Sequence, residues 1–204
     1  MRYVLGHSDC KLVFVSPEWE APVRGLLAGL GREVAVLVAD PDALRLPGED
    51  DSELAFAPVP SSAVALLMYT SGTTGMPKGV MLTQGNLVAN ARSISAEHAL
   101  TPADRVLGVL PLYHINAFAV TMLAPLAHGG SVAVAPKFSA ARFWSQAFES
   151  KCTWINVVPT IISFLLEGEA PDAASLLKLR FCRSASAALP PEHLLAFERK
   201  FGIG

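Results

Sequence analysis

Net charge is almost absent from this chain of 204 residues, in which 16 lysines and arginines face 18 aspartates and glutamates for a formal charge of -2. No run of basic residues interleaved with aromatics occurs, which excludes an ordinary nucleic-acid surface and non-specific polyanion binding. Cysteine is scarce as well. Cys10, Cys152 and Cys182 stand far apart in apolar segments, a pattern that fits reduced core thiols and the cytoplasm better than a disulfide framework or a thiolate metal site. The N-terminus lacks the continuous apolar stretch of a secretory signal. The longest apolar region, 117–135, is interrupted by Pro125 and by His128-Gly129-Gly130, so no membrane span is expected. Internal repeats and low-complexity tracts are also missing.

What the chain does have is apolar residues, 51% of the total, enough for a sizeable core. Its mean hydropathy of +0.40 is high for a small free-standing domain, and some apolar faces are expected to meet further parts of a larger fold. Short β-branched runs at 11–16, 33–39, 63–68, 105–110, 131–135, 153–158 and 178–183 predict strands. Helical patterns fall between them at 22–30, 86–98, 118–126, 140–149, 159–166 and 192–201. Thr83 stands where an N-cap belongs, and Pro159 and Pro190-Pro191 open helices. Strands alternating with helices predict an α/β fold with a doubly wound, mostly parallel sheet. The acidic, proline-bearing stretch 40–60 lacks periodicity and reads as a surface connection, dividing a partial α/β subdomain at 1–60 from a second at 61–204. Ligands of such sheets gather at the C-terminal ends of the strands.

At the end of the 63–68 run, which reads as a buried strand, stands Tyr69-Thr70-Ser71-Gly72-Thr73-Thr74-Gly75-Met76-Pro77-Lys78-Gly79-Val80. Its glycines allow positive φ and close backbone approach, its hydroxyls donate hydrogen bonds, and Lys78 adds a mobile positive charge. The loop is suited to phosphate oxygens. It is not a Walker A loop, because Gly79 follows Lys78 where that motif has the serine or threonine that holds magnesium.

Residues 70–78 resemble the phosphate-loop signature of the adenylate-forming (AMP-binding) enzymes, the superfamily of acyl- and aryl-CoA ligases, luciferases and peptide-synthetase adenylation domains. The resemblance implies that Thr70, Ser71, Gly72, Thr73, Thr74, Gly75 and Lys78 hold the phosphates of ATP. It further implies a reaction in which a small-molecule carboxylic acid attacks the α-phosphate to give acyl-AMP and pyrophosphate, followed by thiolysis by CoA.

Two other strand-end loops bear on the acid. A histidine such as His114 is, by itself, more often structural than catalytic. Pro111-Leu112-Tyr113-His114 nevertheless resembles the family's second core motif, which implies that Tyr113 and His114 flank the acyl tunnel. Ala117 stands where the family often has glycine, so a narrower pocket is expected. Amino-acid-activating members usually carry an aspartate in this motif to pair with the substrate ammonium. Here there is none, and an unpaired buried ammonium would be costly, which favours the acyl-CoA ligase branch. Small residues at 184–189 could serve only close packing of strand on helix. Their similarity to the family's Ser-Gly-Ala-Ala-Pro-Leu segment implies that Ser184, Ala185 and Ser186 line the acyl pocket and the adenine site, with Ala185 and Ala188 departing from the pattern.

The resemblance runs over the whole chain yet corresponds to the middle of a larger domain. The family's Tyr-Gly-x-Thr-Glu segment, whose glutamate holds Mg2+, is expected beyond Gly204, with the ribose-binding aspartate, the hinge and the adenylation-promoting lysine. No catalytic residue is therefore assigned within the chain, and the 204 residues are expected to be a fragment, inactive alone. An amino-acid adenylation domain and a non-catalytic nucleotide-binding module are the alternative readings.

Overall fold

A computed structural model describes residues 1–40, 43, 57–72 and 75–204. Most of the predicted connection at 40–60, and Thr73 and Thr74, lie outside the described residues. The chain divides into two compact units, 1–60 with 66–81, and 61–65 with 82–204.

The first unit opens with α1 (Arg2–His7), β1 (Leu12–Val15), α2 (Glu20–Leu27) and β2 (Ala35–Val38). β1 and β2 run parallel, with Leu12 opposite Ala35 and Val15 opposite Val38. Val15, Val23 and Leu27 form the buried centre, packed by Val13, Val36 and Val38. The helix begins before the predicted residue 22, after a 3-10 turn at Pro17–Trp19. Pro22 falls within its first turn, where the missing N–H would have had no partner anyway.

β3 (Val64–Thr70) and β4 (Lys78–Thr83) pair as a two-stranded sheet. Two expectations change here. The run at 63–68 is not a buried core strand, since no residue of β3 is fully buried. A two-stranded sheet has too little around it to cover both faces of an apolar strand. Residues 78–80, taken as loop, already belong to a strand.

The second unit holds α3 (Gln84–Glu97), β5 (Arg105–Gly108), a π-helical turn (Ala117–Leu123) running into α4 (Ala124–His128), β6 (Ser131–Val134), α5 (Phe143–Glu149), β7 (Trp154–Val157), α6 (Pro159–Glu167), α7 (Ala173–Leu176), β8 (Phe181–Ser184) and α8 (Pro191–Phe201). Its four strands are all parallel in the order β6-β5-β7-β8. Alternation along the strands sends Leu107, Ile155 and Val157 into one core with Phe143, Ile161, Leu165, Phe197 and Phe201. Val106 and Trp154 enter a second core with Leu100 and Val120. Both faces of the sheet are covered, as a doubly wound α/β fold requires.

Thr83 is the N-cap of α3, as expected, and the cap is reciprocal. Its Oγ1 accepts the Asn86 N–H at 3.1 Å, and its own N–H donates to Asn86 Oδ1 at 3.0 Å. The predicted helix at 118–126 is the larger departure. Its first part is a π turn in which the Ala124 N–H donates to the Ala119 carbonyl, five residues back. Pro125 has no N–H to offer and its ring crowds the preceding turn, so the wider winding accommodates it.

Asp104 ties the N-terminal edge of this sheet together. Its carboxylate accepts from the Thr101 N–H at 2.8 Å, Thr101 Oγ1 at 3.0 Å, Thr153 Oγ1 at 2.8 Å and Arg180 Nη1 at 2.7 Å. Burial pushes its pKa up, but the hydrogen bonds from Arg180, Thr101 and Thr153 outweigh that and hold it at about 2. The Asp104 side chain is 4% exposed while Arg180 is 41% exposed, so the carboxylate depends on these donors far more than the guanidinium depends on it. A pKa below the ordinary 3.8 means that the anion stabilises the fold above that pH and loses its contribution as pH falls toward 2. That contribution is roughly 2 kcal/mol. Asp104→Asn should therefore unfold more easily than wild type at pH 6 by about that amount, and the gap should close between pH 4 and pH 2. Urea unfolding at a series of pH values checks it, and a gap that stays constant would show that the charge contributes nothing.

Candidate functional site

In the first unit the apolar strand β3 ends at Thr70, and the chain turns through Ser71 and Gly72 before entering β4 at Lys78. The Gly75 N–H donates to the Gly72 carbonyl at 3.1 Å, and Gly75 takes φ 81°, a left-handed conformation that suits glycine. Gly72 is needed for a different reason. A Cβ there would stand 2.1 Å from the Met76 carbonyl oxygen and 3.3 Å from Lys78 Cγ, so the stem of Lys78 lies across the glycine. Thr70, Ser71, Gly75 and Lys78 are exposed. Among the described residues the Lys78 ammonium has no carboxylate partner. Beneath the loop Tyr69 holds His7, with its hydroxyl 2.8 Å from Nδ1.

In the second unit the segments that follow β5, β7 and β8 enclose a cleft of about 390 Å³ at the C-terminal edge of the sheet. Leu110, Pro111, His114, Ile115, Asn116 and Ala117 line it from the first segment, Val158 from the second and Ser186 from the third. The His114 carbonyl accepts the Phe118 N–H at 3.0 Å, which seats His114 at the mouth of the π turn. Ser186 holds φ 75°, an uncommon conformation for a residue with a side chain and one that clusters at ligand sites. Ala117, fully buried, contributes its methyl to the wall of the cleft.

His114 and Ser186 thus share one cleft, while the other residues singled out on this side are distributed differently. Tyr113 is 73% exposed and lines an adjoining groove with Val134, Phe138 and Ile161, its ring 4.5 Å from that of His114. Ser184 points with Cys182 to the other face of the sheet, into a cavity of about 200 Å³ beside Leu189 and Phe197. Its buried hydroxyl has no hydrogen-bond partner. Ala185 donates its N–H to the Val157 carbonyl at 3.2 Å and so anchors the segment that carries Ser186.

A polar chain that sequence reasoning did not single out runs under the cleft. Arg183 Nη1 donates to Asn116 Oδ1 at 3.0 Å and to Asn156 Oδ1 at 2.9 Å, and Asn156 Nδ2 donates to Thr121 Oγ1 at 3.0 Å. Asn156 and Thr121 are buried. Burial disfavours the charge of the Arg183 guanidinium. The signal in the sequence was Asn156 inside the otherwise apolar run 154–158, where an unpaired polar group is expensive; Arg183, beside Arg180 and Ser184, carried none.

Among the described residues no three His, Cys, Asp or Glu side chains cluster as a metal site. No described helix is long and apolar enough to cross a membrane.

The family model of the AMP-binding enzymes matches residues 1–203. The chain is 57% identical to the sulfoacetate–CoA ligase of Cupriavidus necator over its whole length and 40% of that protein. It is 36% identical to the oxalate–CoA ligase of Arabidopsis thaliana over 98% of this chain and 41% of the other. Among solved structures, ATP-bound MatB from Rhodopseudomonas palustris superposes with a TM-score of 0.86 at 27% identity, over 98% of this chain and 40% of that one. The chain spans about 40% of the length of these curated relatives.

Proposed function

The chain belongs to the AMP-binding enzyme family, and on that premise we propose that it is part of an ATP-dependent acid–CoA ligase whose acid is small and carries a second anionic group. The observation that carries the ligase reading is the loop after β3. Its glycine-closed turn, its exposed hydroxyls and an ammonium without a carboxylate partner among the described residues suit the β- and γ-phosphates of ATP. A carboxylate oxygen of the acid attacks the α-phosphorus, the bond to the bridging oxygen breaks, and pyrophosphate departs with the charge that Lys78 and the loop amides stabilise. Mg2+ would accompany the nucleotide and neutralise part of the charge on its phosphates. The thiol of CoA then displaces AMP from the acyl carbonyl.

The acyl side belongs to the cleft with His114 and Ser186, and Tyr113 and the 184–186 segment frame it. Among the described residues no acidic side chain lines that cleft, which weighs against an amino-acid substrate, whose ammonium would need a counterion. The names of two relatives, a sulfoacetate–CoA ligase and an oxalate–CoA ligase, support an acid with two anionic groups. Three cysteines without disulfides fit work in the reducing cytoplasm.

The test is acid-dependent exchange of labelled pyrophosphate into ATP by the complete gene product, with short mono- and dianionic acids and with amino acids. Exchange with an acid and none with amino acids is the expected result; exchange with amino acids alone would overturn the reading. Lys78→Ala should lower the exchange rate about a hundredfold, the usual cost of one electrostatic contact to a developing charge. It should change stability by no more than about 0.5 kcal/mol, because the side chain is exposed. An equal loss of melting temperature and activity would make Lys78 structural.

A further inference from the structure

We propose that Arg183 is the specificity residue of the acyl cleft, the group that receives the second anion of the acid, carboxylate or sulfonate, while the first carboxylate is adenylated. The inference rests on the ligase reading above and adds to it the residue that selects the acid.

β8 is entered by Arg180 and carries Arg183 three residues later, and the two are treated differently. Arg180, at the N-terminal edge, has the carboxylate of Asp104 at 2.7 Å. Arg183, near the C-terminal edge, is half-buried, and among the described residues its partners are the neutral amides of Asn116 and Asn156. Among the described residues no carboxylate pairs with it. Both recorded bonds leave from the same nitrogen, Nη1, so the fork of the guanidinium retains donors. A partly desolvated cation without a counterion is costly, and such a site persists where an anion arrives to complete it. Its field reaches His98, whose pKa is lowered first by burial and next by the Arg183 charge.

Position supplies the second half. Asn156 and Thr121, both buried, fix one side of the guanidinium against β7 and the π turn. Asn116, which holds it from above, is itself a lining residue of the cleft that contains His114 and Ser186. The Nδ2 of Asn116 is buried with no partner among the described residues, an unsatisfied donor beside the same charge. A planar, bidentate donor is the group best matched to a carboxylate or sulfonate. A monoanionic acid of the same size would leave the charge unpaired, so the site rejects it as well as accepting the dianion.

The experiment is steady-state pyrophosphate release by the complete gene product with malonate, oxalate and sulfoacetate against propionate and butyrate. Wild type is expected to prefer the dianions. Arg183→Gln, which removes the charge and the fork, should raise KM for a dianion about a hundredfold, move KM for propionate far less, and leave KM for ATP within about threefold. Arg183→Lys keeps the charge without the fork, and should retain the preference with KM raised about tenfold. A wild type that prefers monoanions would overturn this inference together with the dianionic acid proposed above and leave the acid–CoA ligase activity standing; a Gln variant that loses all acids equally, or whose preference does not move, would overturn this inference alone. No turnover with any acid would overturn both. Should the Gln variant fail to fold, the Lys variant decides: an unchanged KM for the dianion counts against Arg183.

Discussion

Alanine at position 72 is expected to reduce pyrophosphate exchange by the complete gene product more than about a thousandfold, beyond the loss from removing the Lys78 ammonium. The reason is steric and local. A Cβ on Gly72 would lie 2.1 Å from the Met76 carbonyl oxygen, far inside contact distance, and a backbone carbonyl cannot swing away as a side-chain end can. The turn whose Gly75 N–H bonds the Gly72 carbonyl must open, and with it go the position of Lys78 and of the loop amides together. Removing one donor costs about 2.7 to 4 kcal/mol in the barrier, and losing several at once costs more, although such effects do not simply add. Gly79→Ala is the control. Its Cβ would meet Leu67 Cδ1 at 2.9 Å, the far end of a flexible side chain, so the neighbour can yield and activity should fall by no more than about tenfold. The stability of both variants, read by thermal unfolding, should change far less than activity at position 72. Equal activity losses at 72 and 79 would mean that the loop tolerates rearrangement and that its shape is not what holds the phosphates.

The loop at 69–80 was legible because glycine, hydroxyl and lysine are each chosen for local backbone or charge reasons, and such reasons are written in the residues themselves. The alternation of strands and helices was legible for the same cause, since periodicity records which face is buried. Thr83 as N-cap followed from its short side chain before a helical run. What could not be read depended on partners distant in the chain. β4 carries Gly79 in a segment already claimed by a loop, and only pairing with β3 makes it a strand. Whether Ser184 or Ser186 meets His114 turns on strand alternation past the end of β8, where a left-handed Ser186 alters the direction of the chain. The bond between Arg183 and Asn116 joins residues 67 apart, and no local pattern encodes it.

The same distance dependence governs the largest stability effect expected, that of Trp154→Ala, which should lower the free energy of unfolding by about 4 kcal/mol. Trp154 is fully buried on β7, which hydrogen-bonds to both β5 and β8. Its ring stacks 5.3 Å from Phe181 of β8 and packs with Val106 of β5, Leu100 and Val120. Truncation removes the contact among all three strands at one point, and rigid neighbours on a parallel sheet cannot collapse into the space. Trp154→Phe should behave quite differently. The indole Nε1 is buried with no hydrogen-bond partner, so phenylalanine surrenders volume but also removes an unpaired donor whose burial costs about 1 to 3 kcal/mol. The two terms oppose, and the net change should stay within about 1 kcal/mol. Trp154 and Asn156 share a face of β7, and Asn156 holds Arg183. The alanine variant should therefore also blunt discrimination between dianionic and monoanionic acids at temperatures where it remains folded, whereas the phenylalanine variant should not. Urea unfolding gives the first quantity and the ratio of kcat/KM values for the two acid classes gives the second. A phenylalanine variant as unstable as the alanine one would mean that the indole N–H has a partner after all, and that the packing between the strands contributes less than the geometry implies.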